Sequence, residues 1–289
     1  MQRFEFEDTH VAYLEHGSGP AVVFLHNAGS SHVIWRSQIE ALARSRRVYA
    51  LDLFGYGESG RPDDGYSLDR YADMIELFLA DRGIASAAFI GNCLGSAISL
   101  TVARRAPERV DAVVACNPLT ESTALAGDLG PLARLARHTP SIGVRAVSAV
   151  SMPHWSVGAI VRFWFSDGKA FAAARSTVDD IAGWPARALL GLVKDLKAYA
   201  ALDEWSDDDR AALPPVCTIW GEGNRVLSAG AGRALNQKLR PARAEFLARC
   251  GHVPMLENSR EVTAIITEFL DEHVPVAASE MPDTDRGGS

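Results

Sequence analysis

The sequence predicts an α/β architecture: a mostly parallel sheet flanked by helices, with a helical cap inserted part-way. Three observations point there. Strand and helix patterns alternate through residues 1–118 and resume at residue 215. Short, wholly apolar runs such as Ala21–Leu25 and 86–90 mark strands buried on both faces of a parallel sheet. Between the two alternating parts, residues 120–212 contain helix-like patterns and no convincing buried strand.

The elements follow in order. Residues 2–7 and 10–16 alternate apolar and polar positions, as half-exposed antiparallel strands do. After the Ala21–Leu25 strand come an amphipathic helix near 33–43, a strand at 47–51 and the glycine-rich loop Phe54–Gly60. Ser67 or Asp69 caps a helix running to about residue 82, with Tyr71, Met74, Ile75, Phe78 and Leu79 on one face. Strand 86–90, helix 94–106 and strand 111–116 complete the first part. The second part reads as strand 215–220, helix 228–239, strand 243–248 and a helix near 254–271. As domains, 1–119 and 213–275 form one core, 120–212 a lid over it, and 276–289 a disordered tail without apolar periodicity. Trp155, Phe163, Trp164, Phe165 and Trp184 are expected to pack lid helices on the core and to contribute to an apolar pocket.

Composition narrows the function classes. An apolar fraction of 47% with 22% charged residues excludes bulk disorder in the 289-residue chain. A net charge of -7 argues against a nucleic-acid partner, which needs clustered cations. The densest basic spots, Arg44-Ser45-Arg46-Arg47 and Arg104-Arg105, read as solvated helix ends. No apolar run is long enough to span a membrane or to serve as a signal peptide, so a cytoplasmic protein without a membrane partner is expected. Cys93, Cys116, Cys217 and Cys250 form no CxxC pair and have no histidine at ligand spacing. Neither a metal nor a disulfide framework is expected, and no cofactor is encoded; the partner expected is a small-molecule substrate. Composition does not set the oligomeric state.

The chemistry centres on Gly91-Asn92-Cys93-Leu94-Gly95, between a predicted strand and a predicted helix. A tight strand-to-helix turn strains its middle residue and needs small residues two before and two after it. It lifts the middle side chain above the sheet, at the positive end of the following helix. Both flanking positions here are glycine.

These residues resemble the α/β-hydrolase superfamily, in particular its capped branch of carbon–carbon bond hydrolases, esterases and epoxide hydrolases. Also similar are His26 at a strand end, Leu51–Gly60, Tyr66-Ser67-Leu68-Asp69, Pro107-Glu108-Arg109-Val110, Trp220-Gly221-Glu222-Gly223 and Gly251-His252-Val253-Pro254. The resemblance spans residues 4–120 and 213–272 and implies an eight-stranded sheet. It implies Cys93 as the nucleophile, His252 as its base, and the backbone N–H groups of Ala28 and Leu94 as oxyanion donors. Three positions depart from the pattern. Cysteine replaces serine at Cys93, Asn224 stands where the acid is expected, and His26-Asn27 replaces a His-Gly pair. The alternative acid position, at the end of the preceding strand, falls near Asn117, again an amide.

The departures fit one another. A thiol beside a histidine and a helix N-terminus ionises more easily than a hydroxyl, so a thiolate–imidazolium pair can exist before substrate arrives, and an asparagine can orient the ring through its carbonyl. Asn224 is therefore the expected third catalytic residue, although Gly-Asn is also ordinary turn chemistry. Glu222 is the candidate substitute acid, and Asn27 can add a side-chain amide to the oxyanion site or be a plain loop residue. His26 reads as structural. Arg225 reads as a solvated turn arginine before an anion binder. The implied activity is cysteine-dependent attack on an ester, thioester or activated carbonyl of an apolar small molecule. Alternatives are a non-hydrolytic relative (carboxylate elimination, cyclisation or acyl transfer in specialised metabolism) and a catalytically silent receptor in which Cys93 is idle.

Overall fold

The computed structural model describes residues 1–136, 158, 160–180 and 186–276. Trp155, Trp184 and most of the expected tail lie outside them. Eight strands form one sheet: β1 (Gln2–Phe6), β2 (Thr9–His16), β3 (Ala21–Leu25), β4 (Arg47–Leu51), β5 (Ala87–Asn92), β6 (Val110–Cys116), β7 (Val216–Gly221) and β8 (Arg243–Leu247). Their spatial order is β1-β2-β4-β3-β5-β6-β7-β8. The β1/β2 and β2/β4 pairs are antiparallel, and all later pairs are parallel.

Why the apolar runs become central strands is visible in the packing. Alternate residues point to opposite faces, so Val23 and Leu25 join one core cluster while Val22 and Phe24 join the other. The same split separates Phe89 from Ile90 and Val113 from Val114. A strand buried on both sides has no polar face, which is why these segments read as continuous apolar runs.

The helix expected near 33–43 divides into a 3-10 turn, His32–Trp35, and an α-helix, Arg36–Leu42. Helix Leu68–Asp81 is capped by Ser67, whose side chain accepts from Arg70 N, and it buries the apolar face read from the sequence. Between β6 and β7 the described residues form helices, among them Gly130–Ala136, Gly168–Ala173, Ala186–Asp195 and Asp207–Ala212, with no strand among them. Among the described residues no helix is long and apolar enough to cross a membrane.

This topology fixes where a site can form. Strand order reverses at β3, which lies between β4 and β5. Ligands of open α/β sheets bind at such a switch point, outside the carboxyl ends of the strands. Here that point is flanked by the loop after β3, residues 26–31, and by the turn after β5.

Candidate active site

The turn after β5 is the strained elbow the sequence describes. Cys93 has φ 53° and ψ -108°, a left-handed conformation that costs a non-glycine residue of order 1–3 kcal/mol. Helix Leu94–Arg105 begins at the next residue. The glycines at its flanks are required by contact rather than by φ. A Cβ on Gly91 would lie 2.3 Å from the Gly95 carbonyl carbon, and one on Gly95 would lie 2.1 Å from the Leu25 carbonyl oxygen.

The thiol is enclosed: Cys93 is only 5% exposed. Burial raises its pKa to about 12, against the opposing pull of two backbone N–H groups that reach it, those of Leu94 and Ala28. Those are the two donors named from the sequence, and they converge on one sulfur. The Asn27 amide is engaged inside its own loop. Its Oδ1 accepts from Ser30 Oγ at 2.9 Å and its Nδ2 donates to Ala28 O at 3.0 Å. His26 is structural: its Nε2 accepts from Leu53 N at 2.9 Å, its Nδ1 lies 2.8 Å from Asn27 O, and burial lowers its pKa.

His252 sits in the loop after β8, 2% exposed. Three backbone anchors hold it. Its N–H donates to Trp164 O at 2.7 Å. Its carbonyl accepts from Asn92 Nδ2 at 3.1 Å and from Asn117 Nδ2 at 3.2 Å. Asn117 also accepts from Gly221 N through Oδ1, at 3.0 Å, so one side chain ties together the ends of β6, β7 and the histidine loop. Glu257 adds a clamp, accepting from Gly251 N and Ser166 N at 2.7 Å each. Burial raises its pKa despite these bonds. Asn92, Asn117 and Glu257 were not assigned these positioning contacts from sequence. Asn92 lies inside the elbow motif and Asn117 at the alternative acid position, which are the available signals; Glu257 belongs to no motif.

Burial lowers the His252 pKa to about 3, and among the described residues no hydrogen bond joins its ring to Cys93. Burial thus works against a thiolate–imidazolium pair before substrate arrives, since it favours the neutral form of both groups. Cys93 should consequently alkylate slowly with iodoacetamide at neutral pH. The rate should climb about tenfold per pH unit with no plateau up to pH 10, because only the thiolate reacts. A plateau near pH 7, followed by mass spectrometry of the Cys93 peptide, would show a lowered thiol pKa instead.

The two candidates for a third catalytic residue stand differently. Asn224 is 8% exposed in the turn after β7. Its Oδ1 accepts from Val226 N at 3.0 Å and Leu227 N at 3.1 Å, and its Nδ2 is buried with no partner. Nδ1 of His252 is likewise buried and without a partner. Glu222 faces solvent and pairs with Arg233. Arg225 pairs with Asp128 at 2.9 Å and covers the Phe163 ring, 4.2 Å from its centroid. Trp164 is 7% exposed, with its ring centroid 6.3 Å from that of His252. Among the described residues no cluster of His, Cys, Asp or Glu is arranged to hold a metal ion.

Comparison with known proteins agrees with this architecture. A family model described as alpha/beta hydrolase fold matches residues 20–139. The 2-hydroxymuconate semialdehyde hydrolase of Pseudomonas sp. (strain CF600) is 28% identical over 276 residues, covering 91% of this chain and 88% of that protein. Bifunctional epoxide hydrolase 2 of Sus scrofa is 42% identical over 108 residues, 36% of this chain and 20% of that protein. A thermophilic esterase from Thermogutta terrifontis superposes with a TM-score of 0.78 at 18% identity, covering 95% of this chain and 100% of the esterase. The chain has the α/β-hydrolase fold, and the part of its core that carries the elbow, within residues 20–139, matches the sequence pattern of that family.

Proposed function

We propose that the chain is a cysteine-dependent enzyme acting on an ester, thioester or activated carbonyl of an apolar small molecule. One observation carries the reading: a thiol on a strained elbow, approached by the N–H groups of Ala28 and Leu94. Two N–H donors converging at the nucleophile are what an acyl transition state requires, because negative charge develops on the carbonyl oxygen as the C–S bond forms. In the proposed step His252 takes the Cys93 S–H proton as sulfur bonds the carbonyl carbon, and the carbonyl oxygen takes the charge beside the two donors. Collapse of that intermediate expels the leaving group, which receives a proton through His252. Water or a second nucleophile then takes the acyl group.

The relatives' printed names support hydrolytic chemistry on small organic substrates. A second reading, transfer or elimination rather than hydrolysis, is favoured by a specific feature. Among the described residues no carboxylate bonds the His252 ring, and Glu222 is engaged with Arg233 at the surface. Without one, activation of water for deacylation is weak.

Incubation with p-nitrophenyl acetate tests the reading. The expected result is a burst of one equivalent of p-nitrophenol and one acetyl group on Cys93 by intact and peptide mass spectrometry, absent from Cys93→Ala. Slow loss of that acetyl group to water, with fast loss to an added thiol or amine, selects the transfer reading. No adduct and no turnover would overturn both and leave ligand binding.

A further inference from the structure

We propose that Asn224 acts on His252 as a hydrogen-bond donor, presenting its Nδ2–H to Nδ1 and so holding the ring with its proton on Nε2. This deepens the reading above and rests on it for its catalytic consequence, though the tautomer itself can be measured without it.

The amide has two unlike ends, and the backbone has already chosen between them. Val226 N and Leu227 N both donate to Oδ1, at 3.0 and 3.1 Å. Turning the amide over would set Nδ2 against two N–H groups, exchanging two hydrogen bonds for two donor–donor clashes. The carbonyl is thus unavailable to the ring, and Nδ2 is what remains. It is buried with no partner, and so is Nδ1 of His252, so the two are not bonded to each other in this structure and the proposed contact forms by a side-chain movement. Buried polar groups left unpaired are costly. The loops carrying these two orphans are bonded to each other, through Gly223 N to Cys250 O at 2.8 Å and Glu222 N to Leu247 O at 3.0 Å. A donor without an acceptor and a ring nitrogen that can accept are complementary when Nδ1 bears no hydrogen. Among the described residues a competing candidate is Asn92 Oδ1, another buried orphan beside the His252 backbone, which would instead demand a proton on Nδ1.

The consequence is a ring in the tautomer opposite to that of a carboxylate-supported triad. A carboxylate accepts from Nδ1–H and leaves Nε2 free to take a proton from the nucleophile; an amide donor leaves Nε2 already protonated. The resting ring is a donor. It protonates a leaving group or a carbonyl oxygen readily, and it takes the thiol proton only after the Asn224 contact breaks. Asn224 is thus a positioning residue that restrains acylation of Cys93.

The test is the tautomer itself. In protein carrying ¹⁵N-labelled histidine, long-range ¹H–¹⁵N spectra at pH 7 should show Nδ1 of His252 unprotonated and Nε2 protonated. Asn224→Asp keeps an oxygen for Val226 N and Leu227 N, so the turn is retained, and offers the second oxygen to Nδ1. It should move the proton to Nδ1, raise the pH at which His252 titrates, and speed acetylation of Cys93 by p-nitrophenyl acetate at least about tenfold. A wild-type spectrum with Nδ1 protonated would overturn the proposal and point to Asn92. So would an Asn224→Asp tautomer identical to that of the wild type. If the tautomer switches as expected while Cys93 is never acetylated, the hydrogen-bond assignment stands and the acyl-transfer reading falls.

Discussion

Replacing Cys93 with serine is expected to lower kcat/KM for p-nitrophenyl acetate by about 10³-fold or more, although the two side chains differ by one atom. A hydroxyl is a far weaker acid than a thiol, so serine relies on a base that removes its proton as it attacks. That base works when a carboxylate holds its tautomer and stabilises the imidazolium, and loss of the carboxylate alone costs a serine triad about 10⁴ in turnover. Here the ring is buried, with its pKa lowered to about 3, and the carboxylate of Glu222 is paired with Arg233 at the surface. Sulfur tolerates this setting because it is the better nucleophile and needs less help to lose its proton. Stopped-flow measurement of the p-nitrophenol burst in the two proteins checks the result. A serine variant within tenfold of the wild type would mean that an acid does reach the ring.

Replacing Gly95 with alanine is expected to destabilise the fold by about 3 kcal/mol or more, as severe overpacking does. The added methyl carbon would stand 2.1 Å from the Leu25 carbonyl oxygen, a backbone atom of a central strand paired on both sides. Neither partner can yield. The strand is held in the sheet, and the residues of helix Leu94–Arg105 are buried through its first ten positions. Gly230→Ala is the control: it lies in helix Ala229–Leu239 and meets only the Ser228 hydroxyl at 3.5 Å. That change should be neutral or stabilise by up to about 1 kcal/mol through helix propensity. Urea unfolding of both variants measures the difference, and equal midpoints would contradict the close approach.

How much of this was legible in the sequence depends on which atoms a claim concerns. Backbone demands leave a mark in residue type. Glycines at 91 and 95 and the apolar run Ala21–Leu25 therefore located the elbow and its neighbouring strand, while the two oxyanion donors came from the family resemblance, and their backbone N–H groups reach the Cys93 sulfur. Properties that depend on enclosure leave no such mark. Nothing about a cysteine followed by a leucine reveals that burial will raise its thiol to about 12, which works against the ion pair expected with His252. The sequence also named Asn224 without showing which end of its amide the turn would consume. Glu257, four residues beyond Val253, clamps Gly251 through a contact that depends on the chain folding back after Pro254.

The double grip on the His252 carbonyl has a wider consequence. Both side chains that hold it, Asn92 and Asn117, sit at the ends of neighbouring central strands, β5 and β6. The backbone of His252 thus takes its place largely from the central strands. Under the proposed function, substitutions in the helices that follow β6 are expected to change which substrate enters while leaving His252 where it is. A lineage built this way is free to explore new substrates one surface change at a time.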